Sequence, residues 1–158
     1  MLSPEHFMPI LTIDDLKERA RRRVPRMFFE YADSGAWTES TYRANEHDFS
    51  KVLFRQRVAV DMSNRTLATT MVGQPVSMPV AIAPTGSAGM QHPDGEMIGA
   101  KVAADMGIPF TLSTLSICSI EDVSEAIGGR PFWFQLYVMR DKEFAGRLID
   151  RAKAANCS

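Results

Sequence analysis

The sequence predicts an α/β protein with a parallel sheet. Three apolar segments, residues 78–86, 109–113 and 131–137, each lead into a helical pattern, and their starts at Pro79, Pro109 and Pro131 lie 30 and 22 residues apart. That spacing fits strand–helix–strand units, and strands that are apolar on both faces are typical of a parallel sheet covered by helices. Each segment also ends in hydrogen-bonding groups, which in parallel α/β proteins surround a ligand at the carboxyl ends of the strands.

The residues before position 78 predict three helices and one short strand. Thr12 is expected to cap the first helix, with Asp15 completing a capping box. Pro25 ends that helix and suits the first turn of the second, and Thr38 is expected to cap a third. Residues 66–72 predict a strand closed by Gly73. The apolar stripe expected on the first helix consists of Ile13, Leu16, Ala20 and Val24.

Each apolar segment is followed by a predicted helix with its own boundary signals. The first runs from Asp94 to Met106. The second begins at Ser119, where Asp122 completes a capping box, and ends at the glycine pair 128–129. The third begins at Asp141, and its expected inner face is formed by Phe144, Leu148, Ile149 and Ala152.

Helices that alternate with parallel strands leave two architectures open, a doubly wound sheet and a TIM (β/α)8 barrel. No Gly-x-Gly-x-x-Gly follows the first strand, which disfavours a dinucleotide-binding Rossmann unit. A barrel needs eight units and roughly 250 residues. We therefore expect residues 1–158 to be the N-terminal part of a longer domain, an incomplete barrel of three βα units beginning near position 79.

Composition disfavours several other classes. The formal net charge of −1 gives no electrostatic argument for a nucleic-acid partner. The two cysteines, Cys118 and Cys157, predict reduced thiols in a cytoplasmic protein. No histidine pair has the spacing of metal ligands, so no metal site is expected. A short basic run is read as a solvated helix face, with an anionic contact as the alternative: Arg19, Arg21, Arg22, Arg23 and Arg26.

The polar residues at the strand ends are the candidate functional groups. Gln135 lies in an apolar strand and needs partners for both its carbonyl and its amide. Tyr137, two residues on, is expected on the same side of the strand. For Ser113 a turn-capping role stays open, and for the stretch 84–86 a simple tight turn stays open. Taken alone, Tyr31 at helical spacing from Met27 and Phe28 indicates a core aromatic.

Read together, these stretches resemble one family over almost the whole chain. The order and spacing are similar to those of the N-terminal part of the FMN-dependent α-hydroxy-acid oxidases and dehydrogenases. The matching stretches are FEYADSGA (29–36), LFRQR (53–57), SMP through APTG (77–86), HPDGE (92–96), TLST (111–114) and WFQLY (133–137).

The resemblance implies FMN as the cofactor and a role for each matching residue. Tyr31 would bind the substrate carboxylate, and Tyr137 would contact the substrate oxygen and support charge developing there. The flavin ring would be contacted by Pro84, Thr85, Gly86, Ser113 and Gln135. The family's histidine base, carboxylate-binding arginines, flavin-side lysine and phosphate site belong to later strands. None of the three histidines of this chain matches the base.

Two positions bear on the branch of the family. Position 86 is Gly where glycolate oxidases resemble one another in having Ala, and position 115 is Leu where they have Trp. Both indicate a roomier pocket, and the stretch 112–121 looks closer to the bacterial L-lactate dehydrogenases. The expected reaction of the full-length parent is oxidation of an L-2-hydroxy acid, L-lactate first, to the 2-oxo acid.

Other readings stay open. One is an FMN barrel of another substrate class, and another is a catalytically dead half-barrel. The electron acceptor is open among a quinone, a cytochrome and oxygen. We expect the full-length form to be a homo-oligomer, cytoplasmic and open to peripheral attachment at the inner face of the membrane.

Overall fold

The structure, a computed structural model, describes residues 10–158. It divides after Asn64 into two units, each with its own internal contacts. The first unit contains α1 (Ile13–Arg23), α2 (Arg26–Asp33), α3 (Ser40–His47) and a 3₁₀ turn (Asp48–Lys51). Within residues 10–158 no helix combines the length and the apolar character that a membrane crossing requires.

The helix starts of the first unit confirm one prediction and correct two. The capping box at α1 is present, with the Thr12 hydroxyl accepting from the Asp15 backbone N–H at 3.3 Å. Pro25 stands at the N-cap of α2 rather than in its first turn. The expected cap of α3 at Thr38 is wrong, because the helix starts one residue later, after Glu39 in the left-handed conformation at φ 57°. The Thr38 carbonyl instead accepts from the Arg43 guanidinium.

Burial in the first unit also differs from the sequence pattern. The predicted stripe of α1 is not covered within this unit: Ile13 is 79% exposed and no residue of α1 is buried. On α2 the buried aromatic is Phe29, whereas Tyr31 is 77% exposed. The reading of Tyr31 as a core aromatic is therefore wrong for this unit.

A polar cluster joins the three helices of the first unit. Lys17 on α1 pairs with the Asp33 carboxylate at the end of α2. The Lys17 ammonium also donates to the Tyr42 hydroxyl at 3.3 Å, and that hydroxyl donates to Asp33 at 3.3 Å. The Asp33 hydrogen bond, followed by that of Tyr42, raises the pKa of Lys17, which keeps the cluster charged.

The second unit begins with a hairpin. β1 (Thr69–Met71) pairs antiparallel with β2 (Gln74–Val76). Val72 and Gly73 both have positive φ, 47° and 79°, as a two-residue type I′ connection requires. The strand predicted at 66–72 is thus confirmed in its last residues, and β2 is an element that the sequence pattern missed.

The predicted βα units follow as α4 (Ala88–Gln91), α5 (Gly95–Met106), β3 (Thr111–Ser113), α6 (Ile120–Ala126), β4 (Trp133–Gln135) and α7 (Lys142–Ala154). β3 and β4 are parallel, with Ser113 opposite Gln135. The first predicted strand is present as one parallel bridge, Ile82 to Phe110, and Cys157 makes another, to Phe132. The four parallel segments thus lie side by side in chain order.

The helix boundaries of this unit follow the sequence signals. Ser119 caps α6, and Asp122 completes the predicted capping box. Asp141 caps α7 through the Phe144 backbone N–H at 3.0 Å. Gly107 ends α5 at φ 66°, a conformation that glycine adopts at little cost.

The two faces of the parallel sheet are buried to different degrees. Phe110, Leu112 and Phe132 form an outer face that is packed in the core with residues of α5, α6 and α7. The alternate residues form an inner face, on which Ser113 is buried and the others are half-buried: Thr111, Trp133 and Gln135. The buried face of helix α7 consists of Ala145, Leu148 and Ala152. The prediction that Phe144 and Ile149 belong to this helix face is wrong, because both are partly exposed.

Candidate functional site

The carboxyl ends of β3 and β4 are joined by hydrogen bonds between Ser113 and Gln135. Ser113 is 4% exposed, and its hydroxyl donates to Gln135 Oε1 at 3.2 Å. The same hydroxyl accepts from the Leu115 backbone N–H at 3.1 Å. Ser113 therefore does cap the following turn, as one reading proposed, and it also orients Gln135.

Thr114 is part of this arrangement, although sequence reasoning gave it no role. Its hydroxyl donates to the main-chain carbonyl oxygen of Gln135 at 2.5 Å and accepts from the Tyr137 backbone N–H at 3.0 Å. One side chain thus holds the chain on both sides of Leu136. A hydroxyl directly after a predicted strand is the signal that could have singled Thr114 out.

Gly86 lies against the end of β3. A Cβ at Gly86 would lie 3.3 Å from the Leu115 Cβ and 3.7 Å from the Ser113 hydroxyl oxygen. The backbone next to it is fixed by the Ser87 N–H, which donates to the Leu115 carbonyl at 2.9 Å. Glycine at 86 therefore lets two loops approach closely, since a side chain would force Leu115 to shift.

Pro84 and Thr85 are exposed. The Thr85 hydroxyl donates to the Ala83 carbonyl at 3.5 Å, which is a weak contact. The structure therefore brings Gly86, Ser113 and Gln135 together, with Tyr137 tied to them through Thr114, and presents Pro84 and Thr85 at the surface of the same unit.

Two donors of this arrangement have no partner within residues 10–158. The side-chain oxygen Oε1 of Gln135 accepts from the Ser113 hydroxyl and from the Thr114 backbone N–H. The side-chain nitrogen Nε2 of Gln135 makes no hydrogen bond within these residues. The Tyr137 side chain is 50% exposed, and its hydroxyl makes none either. Tyr31, on α2 of the first unit, likewise presents a hydroxyl without a partner in the described chain.

Glu96 is a buried charged residue near these loops, and sequence reasoning missed its role. It is 2% exposed, and its Oε1 accepts from the backbone N–H groups of Gly89 and Ile117 at 3.1 and 3.0 Å. Burial by itself raises the pKa of this carboxyl, but the hydrogen bonds from the backbone N–H groups of Ile117, Glu96 and Gly89 and from the Cys118 thiol together hold the pKa below its ordinary value. Glu96 is therefore an ionised, hydrogen-bonded group inside the unit.

Glu96 also acts on a cysteine thiol. The Cys118 thiol donates to Glu96 Oε2 at 3.3 Å, and burial, then this contact, raises the pKa of Cys118. A raised pKa keeps the thiol protonated and poorly nucleophilic. Within the described chain no group of three or more His, Cys, Asp or Glu side chains is placed to bind a metal.

A protein-family model matches most of this chain. The model of the FMN-dependent dehydrogenases matches residues 20–158. This chain belongs to the FMN-dependent dehydrogenase family. The family resemblance expected from the sequence is thereby confirmed.

Curated relatives of this chain are named L-lactate dehydrogenase. The protein from Chromohalobacter salexigens is 50% identical over 148 residues, which is 94% of this chain and 38% of that protein. The protein from Acinetobacter baylyi is 48% identical over 151 residues, 96% of this chain and 39% of that protein. The chain therefore spans about two fifths of the length of these relatives.

Solved structures with the same fold include mandelate enzymes. A glycine-to-alanine mutant of an active chimera of (S)-mandelate dehydrogenase has a TM-score of 0.88 and 33% identity, covering 95% of this chain and 42% of that one. Mandelate oxidase with (S)-4-hydroxymandelic acid has a TM-score of 0.85 and 35% identity, covering 93% of this chain and 41% of that one.

The polar groups at the ends of β3 and β4 fit a flavin ring in their chemistry. The edge of the ring presents both hydrogen-bond donors and acceptors. The arrangement offers an oriented amide N–H₂ at Gln135 and a buried hydroxyl at Ser113. The Gln135 amide nitrogen has no hydrogen-bond partner within residues 10–158, so it is available to donate to an acceptor on a bound ligand.

Proposed function

We propose that the full-length parent of this chain is an FMN-dependent oxidoreductase that converts an L-2-hydroxy acid, L-lactate first, to the 2-oxo acid. Family membership supports the cofactor, and the names of the curated relatives support the substrate. The observation that carries the proposal is the Gln135 side-chain N–H₂ group, which has no hydrogen-bond partner within residues 10–158. It lies beside Ser113 and Gly86 at the strand ends. Parallel α/β folds bind ligands at that edge.

In this proposal, residues 1–158 are the N-terminal part of the catalytic domain. The four parallel segments at Ile82, β3, β4 and Cys157 would be the beginning of a (β/α)8 barrel whose units start near position 79. The length of the curated relatives supports this assignment, since the chain spans 38% and 39% of them. The coding sequence downstream of codon 158 would test it directly.

The chain's residues divide between cofactor and substrate. Pro84, Thr85 and Gly86 would lie along the flavin ring, with Ser113 and Gln135 hydrogen-bonding its edge. FMN, when bound, supplies a two-electron acceptor, and the protein orients the ring and the substrate around it. Gln135 is suited to this role because Ser113 and Thr114 both donate to its side-chain oxygen Oε1 and thereby orient its side-chain N–H₂ group.

Two tyrosines would bind the substrate. Tyr31 would donate its hydroxyl to the substrate carboxylate. Tyr137 is proposed as the catalytic residue of this chain, donating to the substrate oxygen as negative charge develops on it. Thr114 supports that role, because its hydroxyl holds the Tyr137 backbone at 3.0 Å.

The parent protein is expected to purify yellow and to bleach when L-lactate is added without oxygen. Absorption spectra before and after anaerobic addition of L-lactate, (S)-mandelate and glycolate would rank the substrates. D-lactate is the stereochemical control and should leave the spectrum unchanged. A colourless parent that FMN does not reconstitute would overturn the proposal, and bleaching by NADH alone would favour an FMN barrel of another substrate class.

Gln135→Ala in the parent is expected to weaken FMN binding by about tenfold, the value of one hydrogen bond of ~1–1.5 kcal/mol, and to shift the flavin absorption bands. Gln135→Glu separates the two halves of the side chain. It keeps an acceptor for Ser113 and Thr114 but removes the amide donor, so it should shift the bands as well.

Gln74→Ala is the matched control for Gln135. Gln74 lies on β2 and donates to the Ser158 hydroxyl at 2.5 Å, away from the strand ends that carry Ser113 and Gln135. FMN titration and visible spectra of the variants are the measurements. Equal effects of Gln135→Ala and Gln74→Ala would show that the amide does not contact the flavin.

A further inference from the structure

Glu96 connects two loops that begin at proposed flavin contacts. The first, which we call the Gly86 loop, runs from Gly86 into the first turn of α4 at Gly89, and the second runs from Ser113 to Cys118. Oε1 of Glu96 accepts one backbone N–H from each, that of Gly89 at 3.1 Å and that of Ile117 at 3.0 Å. Oε2 accepts the Cys118 thiol at 3.3 Å.

The two loops touch where Glu96 binds them. A Cβ on Gly89 would lie 2.7 Å from the Ile117 Cβ, a distance that real side chains do not adopt. The loops are joined a second time near the flavin contacts, by the Ser87 N–H and the Leu115 carbonyl at 2.9 Å. The two segments are therefore in direct contact at Gly89 and Ile117 and hydrogen-bonded to each other at Ser87 and Leu115.

A carboxylate is a costly way to join two loops inside a protein. A buried charge is tolerated only when hydrogen bonds replace its water shell. Here two backbone donors and a thiol do so, and Glu96 also lies in the first turn of α5, where the helix dipole favours negative charge. Charged acceptors make stronger hydrogen bonds than neutral ones, so the carboxylate binds both backbone N–H groups more strongly than a neutral acceptor would.

We propose that Glu96 is a positioning residue, which fixes the Gly86 loop against the Ser113–Leu115 turn and so sets the shape of the flavin contact surface. This inference rests on the proposed function for the identity of the ligand. Glu96 itself touches no flavin contact directly; it acts through the backbone at Gly89 and Ile117.

The test compares Glu96→Leu with Glu96→Gln in the full-length parent. Leucine has a similar volume but accepts no hydrogen bond, whereas glutamine keeps an oxygen for both N–H groups. We expect Glu96→Leu to weaken FMN binding by about tenfold or more, since it removes two charge-assisted hydrogen bonds. Glu96→Gln should restore most of the affinity and the flavin absorption bands.

Amide hydrogen exchange supplies a readout that needs no flavin. Exchange at Gly89 and Ile117 should speed up in Glu96→Leu and stay near wild type in Glu96→Gln. Gly89→Ala forces the loops apart with the carboxylate intact and should also weaken FMN binding, which keeps the test decisive if Glu96→Leu does not fold.

Two control variants separate positioning from general stability. Cys118→Ala removes only the contact to Oε2 and keeps both backbone N–H partners of Oε1, so it should weaken FMN binding less than Glu96→Leu does. Val123→Ala, in the buried core on α6, lowers stability without touching either loop's hydrogen bonds to Glu96. If Glu96→Leu and Val123→Ala changed FMN affinity equally, or if Glu96→Leu left exchange at both amides unchanged, the inference would be wrong.

The two failures are distinguishable. A parent that binds no FMN overturns the proposed function, while exchange at Gly89 and Ile117 still reports whether Glu96 holds the loops. If the parent binds FMN and both Glu96 variants bind it with the same affinity, the positioning role is wrong and the proposed function stays in place.

Discussion

Replacing Tyr137 by Phe in the full-length parent is expected to lower kcat/KM for L-lactate by about ten- to hundredfold while FMN stays bound, because a hydrogen bond to a charged group contributes ~1.5–3 kcal/mol. The Tyr137 hydroxyl has no partner within residues 10–158, so its removal leaves no group of those residues without a hydrogen-bond partner. The loss should appear mainly in kcat, since the proposed contact strengthens as charge develops on the substrate oxygen.

Tyr31→Phe is expected to act mainly on KM, with a loss of the same size in kcat/KM. Its hydroxyl would donate to the substrate carboxylate, which is charged before and after the reaction. An interaction that is equally strong in the ground state and the transition state changes binding rather than turnover. Steady-state kinetics of the two variants therefore distinguish the two roles.

The third tyrosine provides a matched control. The chain has three tyrosines, and the hydroxyl of Tyr42 is already bound by Lys17 and Asp33. Tyr42→Phe should lower the melting temperature and leave kcat/KM at the wild-type value. Wild-type kcat/KM in both Tyr31→Phe and Tyr137→Phe would show that the proposed substrate site is wrong.

Residues 1–158 expressed alone are expected to bind FMN at least about a hundredfold more weakly than the parent, a loss on the order of 3 kcal/mol or more. The flavin phosphate site, by the family resemblance, belongs to strands outside this stretch. Three inner-face side chains, those of Thr111, Trp133 and Gln135, are only half-buried in this chain. Apolar area left exposed costs ~25 cal/mol per Å², so about 100 Å² of it removes ~2.5 kcal/mol from a total stability of ~5–15 kcal/mol.

The measurements are FMN titration, denaturant unfolding and near-ultraviolet circular dichroism of the isolated chain beside the parent. We expect a broad transition and weak near-ultraviolet signals from Trp133. Unlike Trp133, Phe132 should stay packed in the isolated chain, because it is 1% exposed and lies in the core with residues of the helices. Tight FMN binding together with a cooperative transition would establish residues 1–158 as a self-sufficient unit and contradict the assignment as an incomplete barrel.

The sequence alone determined the features that depend on neighbours within a few residues. The capping boxes Thr12–Asp15 and Ser119–Asp122 form as predicted, because donor and acceptor lie three residues apart and meet in the first helical turn. The βα units were predictable for a similar reason, since the spacing of the apolar segments reflects the length of a crossover helix. The family followed from the order of several short motifs and needed no geometry.

Only the tertiary structure decided which groups are buried and which are joined across the chain. Glu96 stands in the polar stretch HPDGE (92–96), yet it is buried and accepts the backbone N–H of Ile117, 21 residues later in the chain. The same holds for Thr114, whose hydroxyl meets Gln135 and Tyr137 only after β4 has paired with β3. Such contacts depend on the packing of distant segments, and a local pattern contains no information on which distant segment will supply the partner.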